Sequence, residues 1–198
     1  MNLLSIAGFL GSGKTTLLLR VAREFSKRFN QIAIIENEIG EIGIDGKYLR
    51  QYGLEIQELF GGCICCVMQL DLIETIKKVE QVVKPDWIIL EPTGAADPGD
   101  VGKAVRQYTP SVDFICNVIL LDAPRFKMFS EIMIPMLTAQ MKAADIVAIN
   151  KIDEVDEAQV KSIARRVRQL TSSAGIVPIC AEDGTGVAGL IEMALNHG

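Results

Sequence analysis

Continuous apolar runs alternate with helix-spaced apolar positions along the whole chain. The runs Leu3–Ala7, Ile32–Glu36, Leu54–Phe60, Trp87–Glu91, Phe114–Asp122, Ile146–Asn150 and Ile176–Ile179 are short and rich in branched residues, which predicts strands. Between them, Leu17, Leu18, Val21, Phe25 and Phe29 recur at helical spacing. So do Ile73, Ile76, Val79 and Val83, and later Val160, Ile163, Val167 and Leu170. That spacing puts each set on one face of a helix. Strands that are apolar throughout need cover on both faces. The pattern therefore predicts an α/β fold with a mainly parallel central sheet of about seven strands and helices on both sides. No internal repeat, low-complexity tract or Pro/Gly-rich linker breaks the pattern, so one domain is expected over residues 1–198. In such sheets ligands bind beyond the carboxyl ends of the strands, so the residues just after each strand matter most.

Composition narrows the function classes. Hydrophobic residues make up 49% of the 198, enough for a sizeable core. The net charge of -5 gives no general attraction to nucleic acid or anionic membrane. Arg165, Arg166 and Arg168 form the densest basic run, but they lie in a helical pattern and read as a solvated face. The longest apolar run, Phe114–Leu121, contains Asn117 and is too short to span a bilayer. A strand-like segment begins almost at Met1 and leads straight into candidate functional sequence, so no secretory signal is read and a cytoplasmic setting is expected. There the five cysteines would be reduced, which favours metal or redox roles over disulfides.

Four motifs fall just after strands. Residues 8–15 read GFLGSGKT, a full match to G-x-x-x-x-G-K-S/T between a strand and a helix. The segment offers backbone N–H groups and a helix N-terminus to phosphate oxygens, with Gly8, Leu10, Gly11, Ser12 and Gly13 as candidate contacts. Lys14 is expected in an exposed loop, reaching the β- and γ-phosphates; the Thr15 hydroxyl suits Mg²⁺ and Thr16 the α-phosphate. Asn150-Lys151-Ile152-Asp153 is the N-K-x-D pattern of GTP-binding proteins. The Asp153 carboxylate can accept from guanine N1–H and the exocyclic amine, which adenine cannot match. The Lys151 stem can lie along the base and Asn150 can bridge loops. Ala181 and Glu182 open a glycine-containing loop whose amides could recognise guanine O6. Glu91-Pro-Thr-Gly94 resembles the D-x-x-G element, with Glu91 toward Mg²⁺ and the Gly94 N–H toward the γ-phosphate.

The fourth motif is GGCICC at 61–66. Three thiolates with a carboxylate from the preceding strand end suit Zn²⁺ or another borderline-soft divalent ion. The spacing is not that of a structural zinc knuckle. Cys116 and Cys180 stand alone and read as buried small hydrophobes.

Taken together, GFLGSGKTT at 8–16, ENEIG at 36–40, GGCICC at 61–66, EPTG at 91–94 and NKID at 150–153 resemble the CobW/HypB/UreG-type metallochaperone GTPases, in particular the CobW-like branch. The resemblance implies a P-loop GTPase domain, slow intrinsic hydrolysis of GTP with Mg²⁺, and coupling of GTP to a bound metal. The resemblance implies zinc or cobalt as that metal. It implies delivery of the metal, or of a metal-cofactor, to a client metalloprotein or corrinoid protein. By the resemblance, Cys63, Cys65, Cys66 and Glu36 become candidate ligands for the transferred metal, with Glu41 a weaker candidate. Longer members add a C-terminal domain, which is not expected here. Many carry a histidine-rich stretch, whereas the sole histidine here is His197, read as a frayed end. Phe126, Met128, Phe129, Met133 and Met136 form an apolar stretch broken by Pro135, read either as core or as a surface for a nucleotide-dependent homodimer or a client. Competing readings are a P-loop kinase of a small molecule, a non-catalytic metal-binding module, and an assembly factor for a corrinoid or nickel enzyme.

Overall fold

A computed structural model describes residues 1–36, 55–58, 65–92 and 97–197, with backbone alone for 55–58 and 65–71. Seven described strands form one sheet: β1 Asn2–Gly8, β2 Ile32–Glu36, β3 Glu55–Glu58, β4 Trp87–Glu91, β5 Phe114–Asp122, β6 Ile146–Asn150 and β7 Gly175–Pro178. Their spatial order is β3-β2-β4-β1-β5-β6-β7, and every pairing is parallel. The described helices are α1 Lys14–Arg28, α2 Cys65–Val82, α3 Pro98–Tyr108, α4 Phe126–Ile132, α5 Ile134–Ala143, α6 Glu157–Leu170 and α7 Val187–Leu195, with a 3-10 turn at Ile152–Glu154.

The two faces of the sheet are covered by different helices. Leu4, Ile6, Ile34, Ile89, Val118 and Ala148 pack in one cluster with Leu17, Val21 and Phe25 of α1 and Leu190 and Ile191 of α7. Their strand neighbours one residue away point to the other face. There Ile119, Leu121, Val147 and Ile149 meet α4, α5 and α6, while Leu3, Ala33, Ile35, Ile88 and Leu90 meet α2 and α3. At the amino end of the sheet, Trp87 meets Phe25 edge-on with centroids 5.2 Å apart and Phe114 at 6.1 Å. That end is closed by aromatic packing, and the carboxyl end is left for polar loops.

The expected strands all appear, with three boundary changes: β1 is one residue longer at each end, as Asn2–Gly8, β3 covers only Glu55–Glu58 among the described residues, and β7 is shifted by one position to Gly175–Pro178. Helices α3, α4, α5 and α7 lie outside the helical patterns read from the chain. The first of these had a readable start. Asp97 caps it by accepting from the Gly99 N–H at 2.8 Å, and Pro98 occupies its first turn. The stretch around Pro135 divides into α4 and α5. Phe126 is buried, Phe129, Met133 and Met136 pack against the core, and Met128 is 45% exposed, so the core reading holds for four of those residues. Arg165, Arg166 and Arg168 are exposed on α6, as expected of a solvated face. Among the described residues no helix is long and apolar enough to cross a membrane.

Candidate nucleotide and metal site

The phosphate-loop motif closes the carboxyl end of β1. Gly8 has φ 152°, and a Cβ there would lie 2.4 Å from the Leu120 carbonyl oxygen. Gly13 caps α1 with φ 94°, and a Cβ there would meet Asn150 Nδ2 at 2.5 Å. Both positions therefore require glycine, because a side chain would collide with backbone or with a buried amide. Ser12 is fully buried, Thr16 is exposed, and Leu10 stands 85% exposed at the tip. Lys14 is not in an exposed loop. It is the first residue of α1 and only 8% exposed. Its Nζ lies 3.7 Å from Glu91 Oε1, and the Thr15 hydroxyl donates to Glu91 Oε2 at 3.2 Å. The reason is topology: β4 runs beside β1, so Glu91 ends next to the loop and draws the lysine inward.

The second half of the site is built on β6. Asn150 is 2% exposed, and both ends of its amide are engaged. Nδ2 donates to the Ser12 carbonyl at 2.7 Å, while Oδ1 accepts from the Ala181 N–H at 2.8 Å. One side chain thus pins the phosphate loop to the loop after β7. The Ala181 N–H is engaged by Asn150, and Glu182 next to it is exposed. Lys151 adopts φ 62°, and Asp153 stands exposed on the 3-10 turn beyond it. Substituting Asn150 by Ala would leave the Ser12 carbonyl and the Ala181 N–H without that partner. Each such buried group costs about 1–3 kcal/mol. The expected result is a melting temperature lower by roughly 5–15 °C in a calorimetric scan. An unchanged Tm would contradict the pinning role.

Three further residues of the site escaped the sequence reading. Asp122 ends β5, with a side chain 1% exposed. It accepts from the Arg125 backbone N–H and Nε at 3.0 Å each, and from Lys151 Nζ at 2.8 Å. Burial opposes its ionisation, but the bonds from Arg125 and Lys151 outweigh this and hold its carboxyl below the ordinary range. Arg125 Nη2 donates to the Leu10 carbonyl at 2.9 Å, and its guanidinium lies 5.3 Å from the Phe129 ring centroid. Phe129 in turn stacks on Phe9 of the phosphate loop, with centroids 4.3 Å apart. Arg20, on α1, donates from Nε to the Ala181 carbonyl at 2.5 Å and from Nη2 to the Glu182 carbonyl. The Asp122 signal was available in the sequence, since it is a charged residue ending an apolar strand, at the sheet edge where ligands bind.

The metal-ligand candidates are only partly within the described residues. Glu36 ends β2, is 6% exposed, and pairs in register with Glu91 of β4 and Glu58 of β3. Three adjacent strands therefore end on glutamate in one row. Cys65 and Cys66 open α2; Cys63, Glu41 and Gly94 lie outside the described residues. Among the described residues no three His, Cys, Asp or Glu side chains group to hold a metal. Cys116 and Cys180 are buried thiols; burial pushes Cys116 up to about 12, so it stays protonated and inert. His197 is exposed, with Nε2 3.8 Å from Asp145 Oδ1. Asp145 precedes β6, which puts this contact at the sheet end opposite the phosphate loop. For Mg²⁺, the Thr15 hydroxyl and the Glu91 carboxylate are hard oxygen donors held together beside that loop, and they fit such an ion.

Comparison with protein families matches residues 2–178 to the CobW/HypB/UreG nucleotide-binding domain. The chain belongs to that family. Among curated proteins it is 32% identical over 162 residues to the zinc chaperone YeiR of Escherichia coli (strain K12), covering 81% of this chain and 49% of YeiR. It is 32% identical over 197 residues to the zinc chaperone CobW of Sinorhizobium sp, covering 84% of this chain and 55% of that protein. The chain thus spans about half the length of the curated relatives it matches. Among solved structures, HypB of Archaeoglobus fulgidus superposes with TM-score 0.69 at 16% identity over 97% of this chain and 87% of its own. The Zn(II)-bound YjiA GTPase of E. coli gives 0.59 at 24% identity, over 89% and 56%. These structures share the fold, and the family model describes residues 2–178 as a nucleotide-binding domain.

Proposed function

We propose that this chain binds and slowly hydrolyses GTP and uses the cycle to deliver a divalent metal, zinc or cobalt, or a metal-cofactor, to a client metalloprotein in the cytoplasm. The observation that carries the reading is Asn150, whose one amide joins the phosphate loop to the N-K-x-D segment and the loop after β7. That joint supports a reading in which Asp153 serves as the base-reading carboxylate of a triphosphate cradle. The names of the relatives, zinc chaperones with the same family domain, support metal as the cargo. The in-register pair Glu36 and Glu91 supports a link between the two ligands, because a candidate metal ligand and the candidate γ-phosphate sensor end adjacent strands.

In this reading the residues divide the work as follows. Lys14 leaves Glu91 for the β- and γ-phosphates and neutralises charge that builds as the phosphoryl group transfers. Backbone N–H groups of Gly11 to Thr15 and the positive end of α1 hold the phosphate oxygens. Thr15 and Glu91 would hold Mg²⁺, which would supply further charge neutralisation when bound. The Lys151 stem lines the base, and Asp153 accepts its N1–H and amine. Cys63, Cys65, Cys66 and Glu36 would hold the cargo, with Glu41 the weaker candidate ligand.

Calorimetric titration tests the nucleotide assignment. GTP is expected to bind at least about 100-fold more tightly than ATP, since a carboxylate left without the guanine donors rejects adenine. Asp153→Asn is expected to shift the preference toward xanthine nucleotides. Equal affinities for ATP and GTP would remove the assignment.

A further inference from the structure

Two elements of the site meet at a carboxylate outside every motif of the chain. Lys151 belongs to the N-K-x-D segment, and its φ of 62° is one of two positive values among described non-glycine residues. An L-residue holds that conformation only where its surroundings fix it. Here its ammonium is tied to Asp122 at 2.8 Å. From the other side Arg125 grips Asp122 with its backbone N–H and guanidinium, and the same guanidinium reaches the Leu10 carbonyl of the phosphate loop. Asp122 is buried, whereas Lys151 and Arg125 are 30% and 38% exposed, so both cations are turned toward one interior negative charge. A buried carboxylate with two cationic partners is strongly held, and so are they.

We propose that Asp122 is a positioning residue that makes the base loop and the phosphate loop a single unit, so that binding of the guanine end depends on the same charge as the shape of the phosphate cradle. The inference rests on the GTP-binding reading. It separates this link from the Asn150 joint, which acts through neutral amide bonds at a different point of the two loops. Asp122 touches neither base nor phosphate in this role; it acts through Lys151 and Arg125.

The test is a double-mutant cycle on affinity for fluorescent N-methylanthraniloyl-GDP, with thermal melting recorded for each protein. Asp122→Asn keeps the side-chain volume and is expected to weaken binding at least tenfold. Lys151→Met is expected to weaken it too, and the double variant should be no worse than the weaker single one. A twofold or smaller change in Asp122→Asn, or losses that simply multiply, would overturn the proposal. If Asp122→Asn fails to fold, Arg125→Met and Lys151→Met form a second cycle from the half-exposed arms. Each alone leaves the carboxylate one cation, so the double variant should lose more than the product of the singles; a plain product overturns the link. A parent chain that binds no guanine nucleotide overturns the functional reading and this inference together. A parent that binds tightly while its Asp122→Asn variant binds equally well overturns this inference alone.

Discussion

Replacing Lys14 by alanine is expected to lower GTP turnover by about 10²–10³-fold at saturating nucleotide, the usual effect of removing one preorganised charge-stabilising group. The ammonium cannot be supplied from elsewhere nearby. Among the described residues Arg125 is held by Asp122 and the Leu10 carbonyl, and Arg20 by the carbonyls of residues 181 and 182. The variant should also be less stable without nucleotide. Lys14 and Glu91 are both nearly buried, with side-chain exposures of 8% and 9%, so deleting the cation withdraws a buried charge partner. A loss of about 1–3 kcal/mol follows. That is below the stability of a typical domain, so the chain should still fold. Single-turnover phosphate release, with melting in parallel, checks both parts. Unaltered turnover would show that the phosphate loop is not the catalytic centre.

Much of this site was legible because glycine, lysine and asparagine at fixed offsets from strand ends have few alternative uses. Gly8 and Gly13 mark positions where a Cβ would strike the Leu120 carbonyl or the Asn150 amide, and that need is written directly in the motif. The burial of Lys14 was not legible. It depends on β4 lying beside β1, and an apolar run does not state its neighbours. Asp122, Arg125 and Arg20 were missed for a similar reason. Apart from the local Asp122–Arg125 pair, their partners are Lys151, the Leu10 carbonyl and the residue 181–182 carbonyls, all distant along the chain. Backbone carbonyls carry no residue signature, so contacts to them are invisible to motif reading. The apolar stretch from Phe126 to Met136 was ambiguous because helical spacing is broken at Pro135; its division between α4 and α5 became visible only once both packed against β5 and β6.

The second large effect concerns the cargo. Glu36 ends β2 in register with Glu91, and Cys65 and Cys66 open the helix that follows β3. A change at the proposed γ-phosphate sensor that shifts the end of β4 would move one member of that row relative to the next. Zinc tolerates little departure from ligand distances of about 2.0–2.3 Å, so its affinity should follow the nucleotide state. By linkage, metal should change GTP affinity by the same factor, which for coupled sites is about 5- to 150-fold. One divalent ion per chain is expected, held more tightly with GTP and Mg²⁺ than with GDP. Replacing Cys65 and Cys66 by Ser is expected to abolish this difference while leaving GTP binding in place, since neither residue belongs to the proposed phosphate or base contacts.

The most direct measurement is a competition titration of zinc against a chelating dye, run on the nucleotide-free protein, with GDP, and with a non-hydrolysable GTP analogue plus Mg²⁺. The expected result is an affinity at least about fivefold higher in the analogue state than in the GDP state, lost in the Cys65→Ser, Cys66→Ser double variant. Identical zinc affinities in all three states would contradict a GTP-driven metal switch and leave a nucleotide-binding domain whose metal is structural.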